Sequence, residues 1–199
     1  MRTSSSAAAY SDALVEKAQA GDAGAFKQIY QKYHGMVARL AYNITGNQQD
    51  LEDIIQETFL QVHRSLKSFH GDSKFSTWLY RLAINVSMQY VRQHKKTAKV
   101  TYPTDDFGRY ADDAPSPEDD MHRAEKRKII MDALEKLSEK KRMVFILHEL
   151  HGVEAGEIAR ILKIPTLTVR TRLFYARKAI YRILVKEPSL TGNLNGAEG

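Results

Sequence analysis

The stretch from Glu154 to Arg182 constrains the fold of this chain more than any other. Apolar residues recur at helical spacing on both sides of Pro165. They are Ile158, Ala159 and Leu162 before the proline, and Val169, Leu173, Ala176 and Ile180 after it. Because proline lacks an N–H donor and disfavours helical geometry in the residue before it, the pattern predicts two helices joined by a tight turn.

The face of the second helix opposite this apolar stripe is basic, hydroxyl-bearing and aromatic. It carries Leu167, Thr171, Phe174, Tyr175, Lys178 and Arg182, flanked by Arg170, Arg172 and Arg177. Arginine can donate two hydrogen bonds to guanine, threonine can hydrogen-bond to a base edge or a phosphate, and an apolar group can contact a thymine methyl. The face therefore favours a DNA-binding helix-turn-helix. The alternative is a helical hairpin whose basic face is only solvated.

The composition indicates folded cores and a polyanionic partner. The chain has 199 residues, 43% of them hydrophobic, and a formal net charge of +6. Because cysteine is absent, disulfides, thiolate zinc sites and cysteine nucleophiles are excluded. No apolar run approaches the ~20 residues that span a bilayer, and the first ten residues lack the apolar core of a secretory signal. We expect a soluble, cytoplasmic protein.

The periodicity divides the chain into two helical domains, and no stretch alternates like a strand. Four helices are predicted within residues 10–96, with Asp22, Asp50 and Ser73 at helix starts and Gly46 at a helix end. Residues 97–120 are rich in Asp and Pro, which predicts a flexible acidic linker. Residues 121–186 form the second domain, and residues 1–9 and 187–199 are expected to be disordered. The predicted fold class is all-α, two small helical domains joined by a flexible acidic linker, with the helix-turn-helix in the C-terminal domain.

The fourth helix offers a second candidate surface. Its core-facing positions are Phe75, Leu79, Leu82, Ala83, Val86 and Tyr90. Beside them runs a row made of Trp78, Arg81, Asn85, Gln89 and Arg92. Aromatic, guanidinium and amide groups in one row can stack on unpaired bases and hydrogen-bond to their edges. In the alternative, Phe69, Phe75 and Trp78 are simply core residues, and the spacing alone does not decide between the two.

Two sets of motifs resemble one known family. The runs DIIQETF (residues 53–59) and FHGDSKFSTWLYR (residues 69–81), with Asn85, resemble the second domain of bacterial sigma factors of the extracytoplasmic-function (ECF) group. The runs LEKLS (residues 134–138), EIA (residues 157–159) and TVRTR (residues 168–172) resemble the fourth domain of that group. The resemblance spans about residues 23–96 and 123–184, in the expected order, and the acidic linker stands where larger relatives carry a third domain.

The resemblance assigns roles to individual residues. Asp53, Gln56 and Glu57 are implied to dock on the clamp helices of RNA polymerase. Phe69 and Asn85 are implied to capture a base flipped from the non-template strand of the minus-ten element, with Arg81 and Gln89 assisting and Trp78 in the same row. The implied readers of the minus-thirty-five element are Arg170, Thr171, Arg172 and Phe174, with Arg177 and Lys178 on the same basic face.

The chain also departs from the pattern of the group. Many relatives carry Asp where this chain has Gln89, and Pro165-Thr166-Leu167 replaces the commoner polar-Gly start of the recognition helix. His148 and His151 suggest a metal pair, but their spacing is not that of HExxH, and such histidines near a helix end are usually solvated. No metal or cofactor is expected.

The sequence therefore predicts an ECF-type sigma factor that binds core RNA polymerase, recognises promoter elements and promotes strand opening, without being an enzyme itself. The predicted partners are core polymerase and promoter DNA, both duplex and melted, and the resemblance leaves open an anti-sigma factor. One alternative is an ordinary helix-turn-helix repressor or activator whose first domain senses a ligand or dimerises. Another is an enzyme with a metal at Glu52, Asp53 and Glu57, but nucleotide loops and the usual hydrolase motifs are absent.

Overall fold

A computed structural model describes residues 13–94 and 128–186, and all regular secondary structure within these ranges is helical. The all-α fold class is confirmed. The chain divides into two compact units, which are described separately. The expected disordered N-terminus, acidic linker and C-terminal tail lie largely outside the described residues. No helix in the described ranges is long and apolar enough to cross a membrane.

The first unit is a bundle of one short and three long helices. They are α1 (Ala13–Gln19), α2 (Ala23–Thr45), α3 (Leu51–Ser65) and α4 (Phe75–His94), with a 3₁₀ turn at Leu66–Ser68 after α3. The three long helices pack against one another, and α1 packs on α2 and on the 3₁₀ turn. Ile29, Ile54 and Leu79 are fully buried where the long helices meet. The core therefore leaves one face of α3 and one flank of α4 open to solvent.

Helix α2 begins and ends at the two residues that the sequence predicts. The Asp22 carboxylate accepts hydrogen bonds from the backbone N–H groups of Gly24 at 2.8 Å and Ala25 at 3.0 Å. Gly46 adopts the left-handed conformation with φ of 66°, and its N–H donates to the Tyr42 carbonyl. Both caps satisfy backbone groups that the helix itself leaves without partners.

We expect Asp22→Ala to lower the free energy of unfolding by about 0.5–2 kcal/mol, because two N–H donors at the start of α2 lose their acceptor. Urea denaturation of the whole chain measures the change. Asp22→Ser keeps an acceptor oxygen at the cap and should retain most of the stability. An equal loss in both variants would show that the cap hydrogen bonds contribute little.

Of two other predicted helix starts, Asp50 is confirmed at the N-cap position of α3, whereas Ser73 differs from the structure. The Asp50 side chain precedes α3 but accepts a hydrogen bond from Asn47 Nδ2 at 2.9 Å instead of capping the helix. Ser73 is not the cap of α4, since that helix begins at Phe75 and its first backbone bond runs from Trp78 to the Lys74 carbonyl. The Ser73 hydroxyl instead accepts a long hydrogen bond of 3.4 Å from Arg81 Nη2. A side chain eight residues further along the chain, on the second turn of α4, binds a residue that propensity alone places at a cap.

The described residues of the second unit contain four helices. They are α5 (residues 128–135), α6 (Glu139–Phe145), α7 (Ala155–Leu162) and α8 (Thr166–Leu184), and α6 continues into a π-helical turn at Ile146–Leu150. Leu147 and Ile158 are fully buried, and α6 packs on α8. Leu150 stands at helical spacing from the buried Met143 and Leu147, which in a regular α-helix would bury it, but it is 39% exposed. The π turn adds a residue to the helical repeat, which moves the following side chains off the buried face.

The turn between α7 and α8 has the predicted position. Lys163 ends α7 in the left-handed conformation with φ of 54°. Pro165 precedes α8, and its carbonyl accepts the first backbone bond of that helix from Val169 at 3.2 Å. The predicted stripe is buried along its whole length, at Val169, Leu173, Ala176 and Ile180. The helix-turn-helix is therefore confirmed, and the proline start leaves the first turn of α8 intact.

Candidate protein and nucleic-acid interfaces

Helix α3 presents a mixed acidic and apolar stripe to solvent. Asp53 and Gln56 are exposed, Glu57 is half-buried, and Leu60 is 48% exposed one turn further on. These four residues, called the α3 stripe below, lie on one face because they are three or four positions apart. The first three are residues that the resemblance implied, whereas Leu60 was not predicted. The signal that could have found it is that Leu60 is apolar but falls outside the buried periodicity of the helix.

The electrostatic field of the α3 stripe reaches the neighbouring helix. Partial burial raises the pKa of Tyr90 on α4, and the carboxylates of Asp53, Glu57 and Asp50 raise it further. A negative potential disfavours the phenolate, so these carboxylates add to the effect of burial on the pKa of Tyr90. A complementary partner surface would have an apolar patch that contacts Leu60, surrounded by lysine or arginine side chains.

Three aromatic rings meet where the chain enters α4. The Phe69 ring centroid lies 5.7 Å from that of Phe75 and 5.2 Å from that of Trp78. Phe75 is 3% exposed and Phe69 is 9% exposed, whereas Trp78 is only half-buried. The structure thus places Phe75 in the core, Phe69 in the wall of the cluster and Trp78 at its open edge. The cluster is therefore core on one side and surface on the other, and stacking of a base on Trp78 stays a prediction.

The predicted row continues along α4 from this cluster. Arg81 is half-buried, whereas Asn85 and Gln89 are exposed. Arg81 donates through Nη2 to Ser73, but its Nε is buried without a hydrogen-bond partner among the described residues. A buried donor left unpaired costs about 1–3 kcal/mol, and a bound ligand would recover that cost only if Arg81 moved to expose its Nε. The row offers such a ligand an aromatic edge, a guanidinium donor and two side-chain amides.

The outer face of α8 presents basic and apolar groups together. Arg170, Thr171 and Lys178 are exposed, and Phe174 is 61% exposed between them. The Thr171 hydroxyl donates to the Leu167 carbonyl at 2.9 Å, so its methyl group and an oxygen lone pair remain available to a ligand. Arg172 is half-buried and lies to the side of this face.

One of the predicted DNA-contacting arginines is already paired within the unit. Arg177 approaches Glu149 Oε1 through Nε at 2.8 Å and through Nη2 at 2.7 Å. Glu149 lies in the π-helical turn, 28 residues earlier in the chain, and the same oxygen is 3.1 Å from His148 Nδ1. Sequence analysis missed Glu149, because nothing in the local pattern brings it to α8. The pairing leaves Arg177 one free edge of its guanidinium.

The histidines expected to be solvated, His148 and His151, are both half-buried. Among the described residues, no group of three or more His, Cys, Asp or Glu side chains has the arrangement to hold a metal ion. The enzyme alternative placed a metal at Glu52, Asp53 and Glu57. These carboxylates belong to the described part of α3, so the geometry gives that alternative no support.

Two family descriptions match the chain, one in each unit. Residues 29–97 match sigma-70 region 2, and residues 127–180 match sigma-70 region 4. The ECF RNA polymerase sigma-E factor of Haemophilus influenzae is 35% identical to this chain, with 84% of this chain and 92% of the relative covered. The ECF RNA polymerase sigma-E factor of Escherichia coli K12 is 38% identical, with 84% of this chain and 90% of the relative covered.

Solved structures show a similar fold at lower identity. CnrH, in complex with the cytosolic domain of CnrY, has a TM-score of 0.69 at 22% identity and covers 88% of this chain and 97% of CnrH. The sigma factor RpoE of Bartonella quintana, in complex with the anti-sigma factor NepR, has a TM-score of 0.61 at 19% identity, covering 81% and 98%. These likenesses support the helical architecture of the two units.

Proposed function

The chain belongs to the extracytoplasmic-function (ECF) group of bacterial RNA polymerase sigma factors, and we propose that its two units divide promoter recognition between them. It is a transcription initiation factor, and in this proposal the chemistry of RNA synthesis belongs wholly to the core polymerase. The observation that carries the proposal is the contrast between the acidic, partly apolar α3 stripe of the first unit and the basic, aromatic face of α8 in the second. These surfaces suit two different partners.

In the first unit, the α3 stripe binds core polymerase. Asp53, Gln56 and Glu57 supply acceptors and negative charge, and Leu60 supplies an apolar contact. Exposed leucine surrounded by polar groups is typical of a protein interface, in which a small apolar centre has a polar rim. The negative potential that raises the pKa of Tyr90 would also speed the approach of a positively charged partner.

The row on α4 holds the melted minus-ten strand. A base that leaves the duplex stack can lie against the open edge of Trp78 while Asn85 and Gln89 bond to its exposed edges. Phe69 forms the wall behind Trp78, and the half-buried guanidinium of Arg81 lies further along the same row. Only an extruded base can make these contacts, so binding shifts the equilibrium toward the open promoter and offsets the few kcal/mol of unstacking.

In the second unit, α8 reads the minus-thirty-five element in the major groove. Arg170, Thr171, Phe174 and Lys178 project outward together, with Arg172 at the side and Arg177 held by Glu149. Because both units are carried on one chain, each raises the effective concentration of the other at the promoter once both are held on polymerase. Two surfaces of modest affinity then suffice.

The proposal also includes a cytoplasmic location and an anti-sigma factor as a regulatory partner. The Bartonella quintana neighbour was solved with an anti-sigma factor, which motivates this part of the proposal for a chain of the same fold. Co-purification with a candidate inhibitor, followed by a transcription assay with and without that inhibitor, would test this part of the proposal.

A helix-turn-helix repressor would bind duplex DNA tightly without polymerase, so binding by the purified chain separates the two functions. We expect the chain alone to bind a cognate duplex promoter weakly, and the complex with core polymerase to bind it tightly and selectively. Electrophoretic mobility at a stated salt concentration measures both affinities. Tight, selective binding by the chain alone would favour the repressor.

We expect Arg170→Ala to lower discrimination at one position of the minus-thirty-five element by about 1–3 kcal/mol, if the guanidinium forks onto a base. The matched control is Arg182→Ala, which removes the same charge from the exposed last turn of the same helix. Competition between promoters differing at single base pairs measures the change. A uniform loss over all sequences, with a flatter salt dependence, would instead place Arg170 on a phosphate.

A further inference from the structure

Gln19, at the end of α1, holds the segment that connects α3 to α4. Its side-chain Nε2 donates to the Leu66 carbonyl at 3.0 Å and to the Phe69 carbonyl at 2.7 Å, across 47 and 50 residues of sequence. Both partners are acceptors, so only the amide nitrogen of Gln19 fits here, and both of its hydrogens are used. Gln19 lies outside residues 29–97, which match sigma-70 region 2.

One of these two bonds acts on the backbone of the residue that forms the wall of the aromatic cluster, and the other acts on Leu66 at the start of the same 3₁₀ turn. The Phe69 N–H donates to the Leu66 carbonyl at 3.1 Å, which closes the 3₁₀ turn. The Phe69 carbonyl accepts a hydrogen bond from Gln19, so both backbone polar groups of Phe69 are bonded. The ring in turn packs against Phe75 and Trp78. The position of the cluster therefore depends on a side chain from α1.

The far end of the same segment is held by the row on α4. Arg81 Nη2 donates to the Ser73 hydroxyl at 3.4 Å. Between the two attachment points, Gly71 adopts a left-handed φ of 75°. The connecting segment is thus fixed at its start by α1 and at its end by α4. Groups that must meet a ligand within about 0.5 Å need such support from neighbouring hydrogen bonds.

We propose that Gln19 is a positioning residue for capture of the extruded minus-ten base. It sets the place of Phe69, and through the ring contact the place of Trp78, without itself touching DNA. The inference rests on the proposed function of the α4 row, and it adds α1 to the machinery of strand opening. The neutral side-chain amide of Gln19 donates both hydrogen bonds, and a carboxylate of the same shape has no hydrogens to donate.

The test uses holoenzyme assembled from the full chain and core polymerase, with 2-aminopurine at successive non-template positions of the minus-ten element to report unstacking. Gln19→Leu and Gln19→Glu remove the donors, and Gln28→Leu changes an exposed glutamine of α2 as the matched control. We expect both Gln19 variants to open a duplex promoter about five- to thirtyfold less well, or about 1–2 kcal/mol at 1.4 kcal/mol per tenfold. Gln28→Leu should behave as the unchanged chain.

A second template separates positioning from a general loss of folding. On a promoter that lacks the captured base, carrying an abasic site there, the Gln19 variants should match the unchanged chain, because there is no base to position. An equal deficit on the intact and abasic templates, or no deficit at all, would overturn the inference. If the unchanged chain itself ignores the abasic site, base capture is wrong, and the proposed function of the α4 row fails instead.

Discussion

Replacing Gln56 and Glu57 together by alanine is expected to weaken binding of the chain to core polymerase by about ten- to a hundredfold, or about 1.4–2.8 kcal/mol. A few central residues usually carry most of the energy of an interface, and each costs more than about 1 kcal/mol when truncated. Gln56 is exposed, and Glu57 accepts a bond from Gln61 Nε2 at 3.1 Å on the same helix. Losing this half-buried i, i+4 pair removes only a few tenths of a kcal/mol from stability. Titration of labelled chain with core polymerase measures the change.

The matched control is Glu52→Ala, which removes a carboxylate from the same helix one position before the α3 stripe. It should retain most of the affinity for polymerase, and its residual effect should disappear at high salt, where long-range attraction is screened. Binding of the minus-thirty-five element by the second unit should be unchanged in both variants. Equal weakening by Glu52→Ala and by the double variant would show that the net charge of α3, and not the stripe, determines binding.

Phe69→Ala is expected to lower the free energy of unfolding by about 3–5 kcal/mol, since it removes a nearly buried ring from the aromatic cluster. Phe69 is 9% exposed, with ring centroids of Phe75 and Trp78 at 5.7 and 5.2 Å. The proposed function adds a second effect, because the cavity would let Trp78 shift from the position that faces the extruded base. Opening of duplex promoters should therefore fall more than use of a pre-melted template.

The two effects of Phe69→Ala are separated by Asn85→Ala. Asn85 is exposed on α4, so its truncation should change the free energy of unfolding by no more than about 0.5 kcal/mol. It should still impair opening of duplex promoters more than transcription from the pre-melted template. Chemical denaturation and potassium permanganate footprinting give the two quantities. Equal losses on both templates in Asn85→Ala would count against capture of a base by this row.

Local sequence was sufficient where one element determines the structure by itself. The stripe Val169, Leu173, Ala176 and Ile180 is buried as predicted, and Asp22 and Gly46 bound α2. Apolar periodicity and caps depend on residues within a few positions, so they can be read without knowing the fold. The polar residues of the α3 stripe and the outer face of α8 followed by subtraction from the same periodicity, but the exposed Leu60 did not.

Sequence alone missed contacts between side chains that are far apart in the chain. Gln19 donates hydrogen bonds to carbonyls 47 and 50 residues away, and Glu149 accepts one from Arg177, 28 residues later in the chain. Ser73 was assigned to a cap because its propensity favours one, but Arg81 binds its hydroxyl. Leu150 is exposed because of a π turn that the local sequence pattern did not predict. Each miss is a case in which tertiary packing overrides a local preference.

Run-off transcription tests the central claim most directly. Core polymerase, the purified chain and fragments of genomic DNA containing promoters would be combined, and the start sites of the transcripts mapped. The account predicts transcripts that begin at defined sites only when the chain is present, with shared sequence elements near minus ten and minus thirty-five. Absence of any chain-dependent initiation by a polymerase that responds to another sigma factor would contradict the account.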